Sequence, residues 1–280
     1  MTIVPGQPVV GALWRYPVKS MQGEELNATE VTRAGLLGDR QFAVVDEATG
    51  KVAGAKNPRK WPDFFQFRAA YTRPPLLGAA LPPVRVTLPD GMSVTSEEGE
   101  LPKLLSAALG REVAFAGTGA VGGPAGAGAG GGAACAGAEG LDVDSDEVLD
   151  FDLAAGSFFD CAPVHLLTTA SLDTLRMLYP AGRFEPRRFR PNIIVATGPD
   201  VSGFAENDWV GRDVAIGDSV VLRVFMATGR CVMTTLPQAD LPKDSGILRT
   251  AARHNNAEVG VYAEVLTGGS VRRGDAVTVL

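Results

Sequence analysis

A run made almost entirely of glycine and alanine, residues 116–140, interrupts the chain and constrains how the rest of it can fold. The run contains no aromatic residue and one charged residue, near its end. Such a segment buries little apolar surface and keeps a high backbone entropy, so it predicts a flexible linker. A glycine-rich phosphate cradle is the alternative, but no strand–GxxxxGK(S/T)–helix pattern surrounds the run. We therefore divide the sequence into an N-terminal domain, 1–115, a Gly/Ala-rich flexible linker, 116–145, and a C-terminal domain, 146–280.

Both flanking parts carry short β-prone runs that are separated by turn residues. The N-terminal part contains one predicted helix, Leu101–Leu109. In the C-terminal part, a helix capped by Thr169 or Ser171 is predicted to run to Leu178, and a second helix is predicted to span Gly246–His254. Residues 213–218 are predicted to form a turn. This pattern predicts a mostly β protein with small helices, of the α+β class. It would consist of an N-terminal β-barrel-like domain and a second strand-dominated barrel.

Charge, hydropathy and cysteine count exclude several classes of protein. The net charge of −6 argues against a broad basic surface for nucleic acid. No apolar run reaches the roughly 18 residues of a membrane helix, and the first residues lack the features of a signal peptide. The three cysteines, Cys135, Cys161 and Cys231, form an odd number without a CxxC pattern. This usage fits a reducing cytoplasm, and it excludes a disulfide framework and a zinc finger.

Cys231 follows an arginine at the end of a predicted strand, in the segment ATGRCVMTT. A nearby cation favours the thiolate form of a cysteine, and thiolates act as nucleophiles and as ligands of soft metals. The alternative is that Cys231 is a small buried hydrophobic residue. His254 lies downstream and is a candidate partner for a cysteine–histidine pair.

Three basic motifs stand at predicted strand ends: YPVKS at 16–20, GLLGDR at 35–40 and RRFRPN at 187–192. Each places a cation beside a hydrogen-bonding group. Taken singly they are typical of solvated turns, whereas together they would form an anion site in an otherwise acidic protein. Arg190 stands out because Phe189 and Pro191 flank it and an apolar strand follows.

In this order, the motifs resemble those of the MOSC family, the molybdenum-cofactor sulfurase C-terminal domain proteins. YPVKS and GDR are similar to the signature of the N-terminal β-barrel domain that one branch of the family carries. The segments APVHLLTTASL, FRPNIIV, GRCVMTT and VRRGDAVTVL are similar to the MOSC domain itself. That branch includes the mitochondrial amidoxime-reducing component and bacterial relatives. The resemblance covers nearly the whole chain apart from the Gly/Ala run.

The resemblance implies a molybdenum cofactor, Mo-molybdopterin, in a positively charged cleft between the two domains. It implies that Cys231 is the catalytic residue and the one protein ligand of the molybdenum. The implied cofactor-binding residues are Lys19, Ser20, Arg40, Thr168, Thr169, Ser171, Arg190, Asn192, Arg230 and Tyr262. In the hydroxyl-rich turn, backbone N–H groups at the start of a helix would favour a phosphate. Pyridoxal phosphate binding is a further family-level expectation, to which no residue is assigned.

The activity implied by the resemblance is the reduction of N-hydroxylated or related N-oxygenated small molecules. Electrons would come from a separate flavin or iron–sulfur reductase. One alternative is a carrier that holds the cofactor, or sulfur as a persulfide on Cys231, without turnover of its own. Another is a cofactor-free structural or small-molecule-binding module with a buried Cys231. The segment LPQADLP at 236–242 departs from the reductase pattern, so the resemblance does not define the substrate.

Overall fold

The computed structural model of the chain describes residues 6–118, 158–159 and 161–280. Most of the predicted linker, 119–145, and Cys135 lie outside these residues. The described strands are β1 (Val9–Arg15), β2 (Glu24–Leu26), β3 (Ala28–Thr32), β4 (Gly35–Leu36), β5 (Phe42–Asp46), β6 (Arg68–Tyr71), β7 (Val84–Thr87), β8 (Ser93–Thr95), β9 (Val113–Gly117), β10 (Val164–Thr168), β11 (Ile193–Ala196), β12 (Asp213–Ile216), β13 (Val220–Gly229), β14 (Glu258–Thr267), β15 (Gly269–Arg272) and β16 (Val277–Val279). The α-helices are α1 (Leu101–Leu109), α2 (Thr169–Leu178), α3 (Pro186–Phe189) and α4 (Ser245–Asn255), and the 3-10 helices are Phe64–Gln66, Ala205–Trp209 and Val232–Thr235.

The largest sheet has eight strands in the order β16-β12-β13-β14-β10-β11-β1-β2. Strands β10 and β11 run parallel, whereas β1 pairs antiparallel with β11 and with β2. The first two strands of the chain therefore complete a sheet whose other members all follow residue 160. Every second side chain of β13 points inward, as Val220, Leu222 and Val224 show, and these side chains join an aliphatic core.

A second core lies among the smaller sheets β6-β7-β8 and β5-β9 and the helix α1. Aromatic side chains such as Phe64 and Phe65 fill it. Helix α1 buries Leu101, Leu105 and Leu109 there, at the spacing that places side chains on one face of a helix. The strand β15, from the end of the chain, pairs with β3, so the N-terminal and C-terminal parts share a second sheet, β15-β3-β4.

The structure confirms the predicted fold class, because the described residues form sixteen strands and only four α-helices. The sheets remain open rather than closing into barrels. None of the helices in the described ranges has the length and apolar character that a membrane span requires. Strand β9 runs on to Gly117 and so includes the first two residues of the predicted linker, Ala116 and Gly117.

Two local predictions were wrong. The predicted turn at 213–218 begins with a strand, because Asp213–Ile216 pair with β13 and bury Val214 and Ile216. Helix α2 is capped by Thr168 rather than by Thr169 or Ser171, since the Thr168 hydroxyl accepts a hydrogen bond from the Ser171 backbone N–H at 3.2 Å. Pairing with β13 therefore decided the outcome at 213–216, and the bond within its first turn decided the cap of α2.

Candidate functional site

The site is built around Tyr16, which directly follows β1 and is buried. Its hydroxyl donates to the Pro191 carbonyl at 3.2 Å and so ties the end of β1 to the approach to β11. The guanidinium carbon of Arg40 lies 4.9 Å from the centre of the Tyr16 ring, and that of Arg190 lies 4.2 Å from it. Burial raises the pKa of Tyr16 well above its ordinary value, although both arginines act in the opposite direction. The phenol therefore stays neutral, and its ring attracts both cations.

Arg40 and Arg190 both adopt left-handed backbone conformations, with φ of 49° and 56°. Non-glycine residues rarely occupy this region, and holding one there costs about 1–3 kcal/mol. At Arg190 the left-handed residue ends α3, and the chain then enters β11 through Pro191. The two strained turns bring guanidinium groups from distant parts of the sequence over one ring.

Asp39 is fully buried and links the motifs GDR and FRPN. It forms an ion pair with Arg40 and accepts hydrogen bonds from the Tyr16 backbone N–H at 2.7 Å and from Asn192 Nδ2 at 3.1 Å. Asn192 Oδ1 in turn accepts from the His165 backbone N–H at 3.1 Å. Burial lowers the pKa of Arg40, but the ion pair with Asp39 outweighs burial and holds that pKa above its ordinary value. Asp39 thus connects the N-terminal motifs to β10 and β11.

Arg230 follows β13, and its side chain reaches His165 near the start of β10. Arg230 Nη2 lies 2.6 Å from His165 Nε2, while Nε donates to the Val259 carbonyl at 2.8 Å and Nη1 to the Phe189 carbonyl at 3.1 Å. A guanidinium has no acceptor atom, so His165 Nε2 must accept and the imidazole is neutral, with its proton on Nδ1. Burial lowers the pKa of His165 well below its ordinary value, and Arg230 lowers it further.

Arg230 keeps its positive charge without touching a carboxylate among the described residues. Its side-chain hydrogen bonds go to backbone carbonyls and the neutral imidazole of His165, and its guanidinium carbon lies 5.6 Å from the centre of the Phe189 ring. Burial lowers the pKa of Arg230 to about 10, although Tyr262 and Cys231 act in the opposite direction, so the group is still protonated at neutral pH. We refer to Arg40, Arg190 and Arg230 as the arginine cluster.

Cys231 comes directly after Arg230 and carries a free, half-buried thiol. Its carbonyl accepts hydrogen bonds from the backbone N–H of Thr234 at 3.2 Å and from its hydroxyl at 3.1 Å, so the following 3-10 helix fixes the backbone of Cys231. Cys161, by contrast, is disulfide-bonded, which the odd number of cysteines did not predict. The candidate partner His254 is exposed on α4, and the histidine that contacts the arginine cluster is His165.

The N-terminal residues implied by the resemblance have different surroundings. Lys19 Nζ donates to the Phe158 carbonyl at 3.0 Å, and the Phe158 N–H donates to the Arg40 carbonyl at 3.0 Å. Lys19 therefore lies close to the arginine cluster. Ser20 is buried, and its hydroxyl accepts from the Ala55 N–H at 3.1 Å, so it fixes a neighbouring loop.

The hydroxyl-rich turn is occupied by a buried acid that sequence reasoning missed. The hydroxyls of Thr168 and Ser171 donate to one carboxylate oxygen of Glu206, at 2.5 and 2.6 Å. All three side chains are fully buried, and the Thr169 hydroxyl lies 3.1 Å from that of Thr197. Burial raises the pKa of Glu206, although the two hydroxyls lower it. Glu206 lies in a 3-10 helix with no motif around it, so no local signal marked it.

The first two arginines of the motif RRFRPN hold the segment after Cys231. Arg188 is 1% exposed and donates to the carbonyls of Thr234, Leu236 and Pro242 at 2.8–3.2 Å. Arg187 forms an ion pair with Asp240 at 2.6 Å. These two arginines therefore anchor the segment 234–242, and Arg190 is the member of the motif that joins the arginine cluster.

We expect acid to destabilise the protein through His165. Its folded pKa lies below the ordinary value of 6.5, so the unfolded chain takes up a proton that the folded protein excludes. The resulting stability is fully present above pH 6.5 and is lost as the pH falls towards the folded pKa, by at most about 1.4 kcal/mol per pH unit. Urea unfolding at pH 7.5 and 5.5 should show a larger loss for the native protein than for His165→Gln. The variant of the exposed histidine, His254→Gln, should behave like the native protein, and equal losses in all three proteins would contradict the assignment.

Two family models match the chain: the MOSC N-terminal beta barrel domain over residues 7–100 and the MOSC domain over residues 154–278. Mitochondrial amidoxime reducing component 2 of Bos taurus is 27% identical over 307 residues, which cover 96% of this chain and 82% of that protein. The Rattus norvegicus protein of the same name is 30% identical over 131 residues, covering 42% of this chain and 37% of that protein. The crystal structure of the YuaD protein from Bacillus subtilis aligns with a TM-score of 0.47 at 12% identity, covering 98% of this chain and 95% of that one.

The chain belongs to the MOSC family and carries both the N-terminal domain and the MOSC domain that the motifs predicted. Lys19, Ser20 and Arg40 fall within the first matched region. The other residues implied by the resemblance fall within the second, among them Cys231.

Proposed function

We propose that this chain is a molybdenum-cofactor-dependent oxidoreductase that reduces N-oxygenated small molecules. Membership of the MOSC family and similarity to amidoxime reducing components support an oxidoreductase related to the molybdenum cofactor. The observation that carries the proposal is the position of Cys231. Its free thiol adjoins Arg230, a half-buried cation that contacts no carboxylate within the described residues.

The residues present fit an anionic cofactor that is held by one cysteine. A cation that is partly withdrawn from water is stabilised by a nearby anion, so the half-buried Arg230 favours negative charge beside it. A Cys231 thiolate and a phosphate-bearing ligand would both provide that charge. Arg190 is half-buried at the same place, and its Nη1 donates to the Met21 carbonyl at 2.6 Å. A soft thiolate is also a suitable ligand for molybdenum.

When bound, the molybdenum cofactor supplies a metal that takes up electrons and removes oxygen from the substrate. Cys231 would hold the metal through Sγ, as a thiolate that has given up its proton. Arg190, Arg40 and Lys19 would hold the anionic parts of the ligand. Neutral His165 orients Arg230 without adding a second positive charge. Electrons would come from a separate flavin or iron–sulfur reductase.

Turnover separates this proposal from a carrier protein. Protein loaded with cofactor is supplied with a chemical reductant and benzamidoxime, and the products are separated by chromatography. An oxidoreductase converts benzamidoxime to benzamidine and water, using two electrons and two protons per molecule. A carrier would hold molybdenum and leave benzamidoxime unchanged, and that result would contradict the proposal.

Arg190→Ala should weaken retention of the cofactor far more than Arg223→Ala. Arg223 is an exposed residue of β13 and forms an ion pair with Asp213 at 2.9 Å. A charge-assisted contact to a partly buried phosphate contributes about 1.5–3 kcal/mol, or roughly a 10- to 150-fold change in affinity. Pterin bound after gel filtration measures retention, and circular dichroism verifies folding. Equal retention in both variants would remove Arg190 from the site.

A further inference from the structure

Helix α4 presents an exposed basic face. Lys243, just before the helix, and Arg249 and Arg253, four residues apart within it, are all exposed. The other exposed side chains on this side of the helix, Ser245 and Ala252, are small and uncharged. Side chains four residues apart lie on the same side of a helix, so the two guanidinium groups are neighbours. The basic face therefore concentrates positive charge in a chain whose net charge is −6.

None of these three cations forms an ion pair with a residue that the structure describes. Arg249 Nη2 donates to the Ser245 hydroxyl at 2.8 Å, which is a neutral partner. The acidic residue at the start of α4, Asp244, uses its carboxylate to cap the helix. On the neighbouring helix α2, by contrast, the exposed Arg176 pairs with Asp173 at 2.7 Å. The charge of the basic face is therefore left for a partner outside the chain.

The stability of α4 does not account for this set of cations. The helix dipole favours Arg253 in the last turn, but it opposes Lys243 at the other end. Arg249 and Arg253 also repel each other, as like charges four residues apart do. Such a cluster destabilises the helix unless an anionic surface lies against it. The basic face is therefore better suited to recognising a partner than to stabilising the fold.

Both ends of α4 are tied to the segment that contains Cys231. At the start of the helix, the Asp244 N–H donates to the Thr235 carbonyl at 2.9 Å. Beyond its end, the Ala257 carbonyl accepts from the Arg230 N–H at 2.7 Å. The helix also packs against the 3-10 helix that begins directly after Cys231. A helix with its side chains is about 10–12 Å across, so the basic face lies within about one helix diameter of this segment.

We infer that the basic face of α4 is the docking surface for the electron donor of the proposed reaction, and that this donor is an acidic redox protein. The inference rests on the proposed function and deepens it, since it assigns the position and the charge of the donor. A donor seated on α4 would pass electrons towards Cys231 through the thickness of one helix. An acidic protein is repelled by the negative chain as a whole and attracted to this face, so charge orients the encounter.

Reduced plant-type ferredoxin, an acidic iron–sulfur protein, is the probe. It is freed of excess reductant and mixed without oxygen with cofactor-loaded protein and benzamidoxime, and its reoxidation is followed by absorbance. Two ferredoxins each lose one electron, and benzamidoxime takes up both electrons and two protons to give benzamidine and water. Dithionite, a small reductant that needs no docking surface, drives the same turnover in parallel samples.

Reversing the charge of the basic face should slow the reaction with ferredoxin and leave the reaction with dithionite unchanged. We expect the second-order rate constant for ferredoxin to fall about 10-fold or more in Arg249→Glu/Arg253→Glu and about 3-fold in Arg249→Gln/Arg253→Gln. Arg73→Glu/Arg85→Glu is the matched control, because both arginines are exposed, belong to the β6-β7-β8 part of the chain and change the net charge equally. The control should stay within about twofold of the native protein. Circular dichroism verifies that the variants are folded.

The dependence on salt separates an effect of charge from an effect on structure. The native rate constant for ferredoxin should fall between about 0.01 M and about 1 M salt, because the screening length shrinks from about 30 Å to about 3 Å. In Arg249→Glu/Arg253→Glu this fall should disappear. The rates with dithionite should show no difference between the proteins at either salt concentration.

If native protein that turns over with dithionite fails to reoxidise ferredoxin, or reoxidises it no faster than Arg249→Glu/Arg253→Glu does, the inference is wrong and the proposed function stands. If dithionite drives no turnover in native loaded protein, the proposed function fails and the docking surface fails with it. Vesicles containing phosphatidylserine test a membrane as the alternative partner. Vesicle binding that is lost in Arg249→Glu/Arg253→Glu, together with unchanged reoxidation of ferredoxin, would overturn the inference and assign the basic face to a lipid surface.

Discussion

Replacing Arg188 by methionine should destabilise the protein by about 3–5 kcal/mol, because it leaves buried carbonyls without donors. The guanidinium donates to four backbone carbonyls, those of Arg183, Thr234, Leu236 and Pro242, at 2.8–3.2 Å. Methionine fills much of the space but provides no N–H group. The segment 234–242 should detach first, since Arg188 holds it at three points.

Urea unfolding monitored by circular dichroism measures this loss, and Arg187→Met is the matched control. Arg187 is the preceding residue in the chain, is partly exposed, and forms ion pairs with Glu185 and Asp240 at the surface. Exposed ion pairs contribute about 0–1 kcal/mol to stability, so Arg187→Met should lose less than about 1 kcal/mol. A loss below about 1 kcal/mol in Arg188→Met itself would show that the carbonyls find other donors.

Replacing Asp39 by alanine should also cost about 3–5 kcal/mol, because it leaves a largely buried cation, Arg40, without its carboxylate. Asp39 is the carboxylate that compensates Arg40, and it also accepts from Tyr16 N–H and Asn192 Nδ2. Asp39→Asn keeps one side-chain oxygen as an acceptor but removes the negative charge. Its loss of stability should therefore be smaller than that of Asp39→Ala. Both variants should release the link between the GDR motif and β11.

Thermal and urea unfolding compare these variants with Asp213→Ala. Asp213 also pairs with an arginine, Arg223, but both side chains are substantially exposed, at 28% and 50%. This control should lose less than about 1 kcal/mol. Comparable losses of stability for Asp39→Ala and Asp213→Ala would contradict this prediction. They would mean that Arg40 needs its carboxylate partner no more than the exposed Arg223 needs Asp213.

Features determined by local sequence were predictable. Helix α1 follows from leucines spaced to share one face and from Gly110, which ends it in a left-handed conformation. Strands β10 and β11 follow from short β-prone runs. The resemblance to the MOSC family identified Cys231, and the structure places a free thiol there beside Arg230.

Features that depend on distant partners were not predictable. Nothing near Thr168 indicates that Glu206 will accept hydrogen bonds from its hydroxyl and from that of Ser171. Arg188 and Arg190 stand two residues apart in one motif, but their roles diverge because α3 ends between them and turns Arg190 towards Tyr16. His165 lies inside a strand whose side chains are all buried, and its role appears only when Arg230 reaches it.

The most direct test of the central claim is the molybdenum and pterin content of protein purified from a host that makes the cofactor. The account predicts about one molybdenum per chain in the native protein and loss of most of it in Cys231→Ser, because a hydroxyl is a poor substitute for a soft thiolate. Thermal unfolding should show that the variant remains folded, since the half-buried Cys231 side chain contributes little to either core. Native protein without molybdenum and pterin, or Cys231→Ser with a full complement of both, would contradict the account.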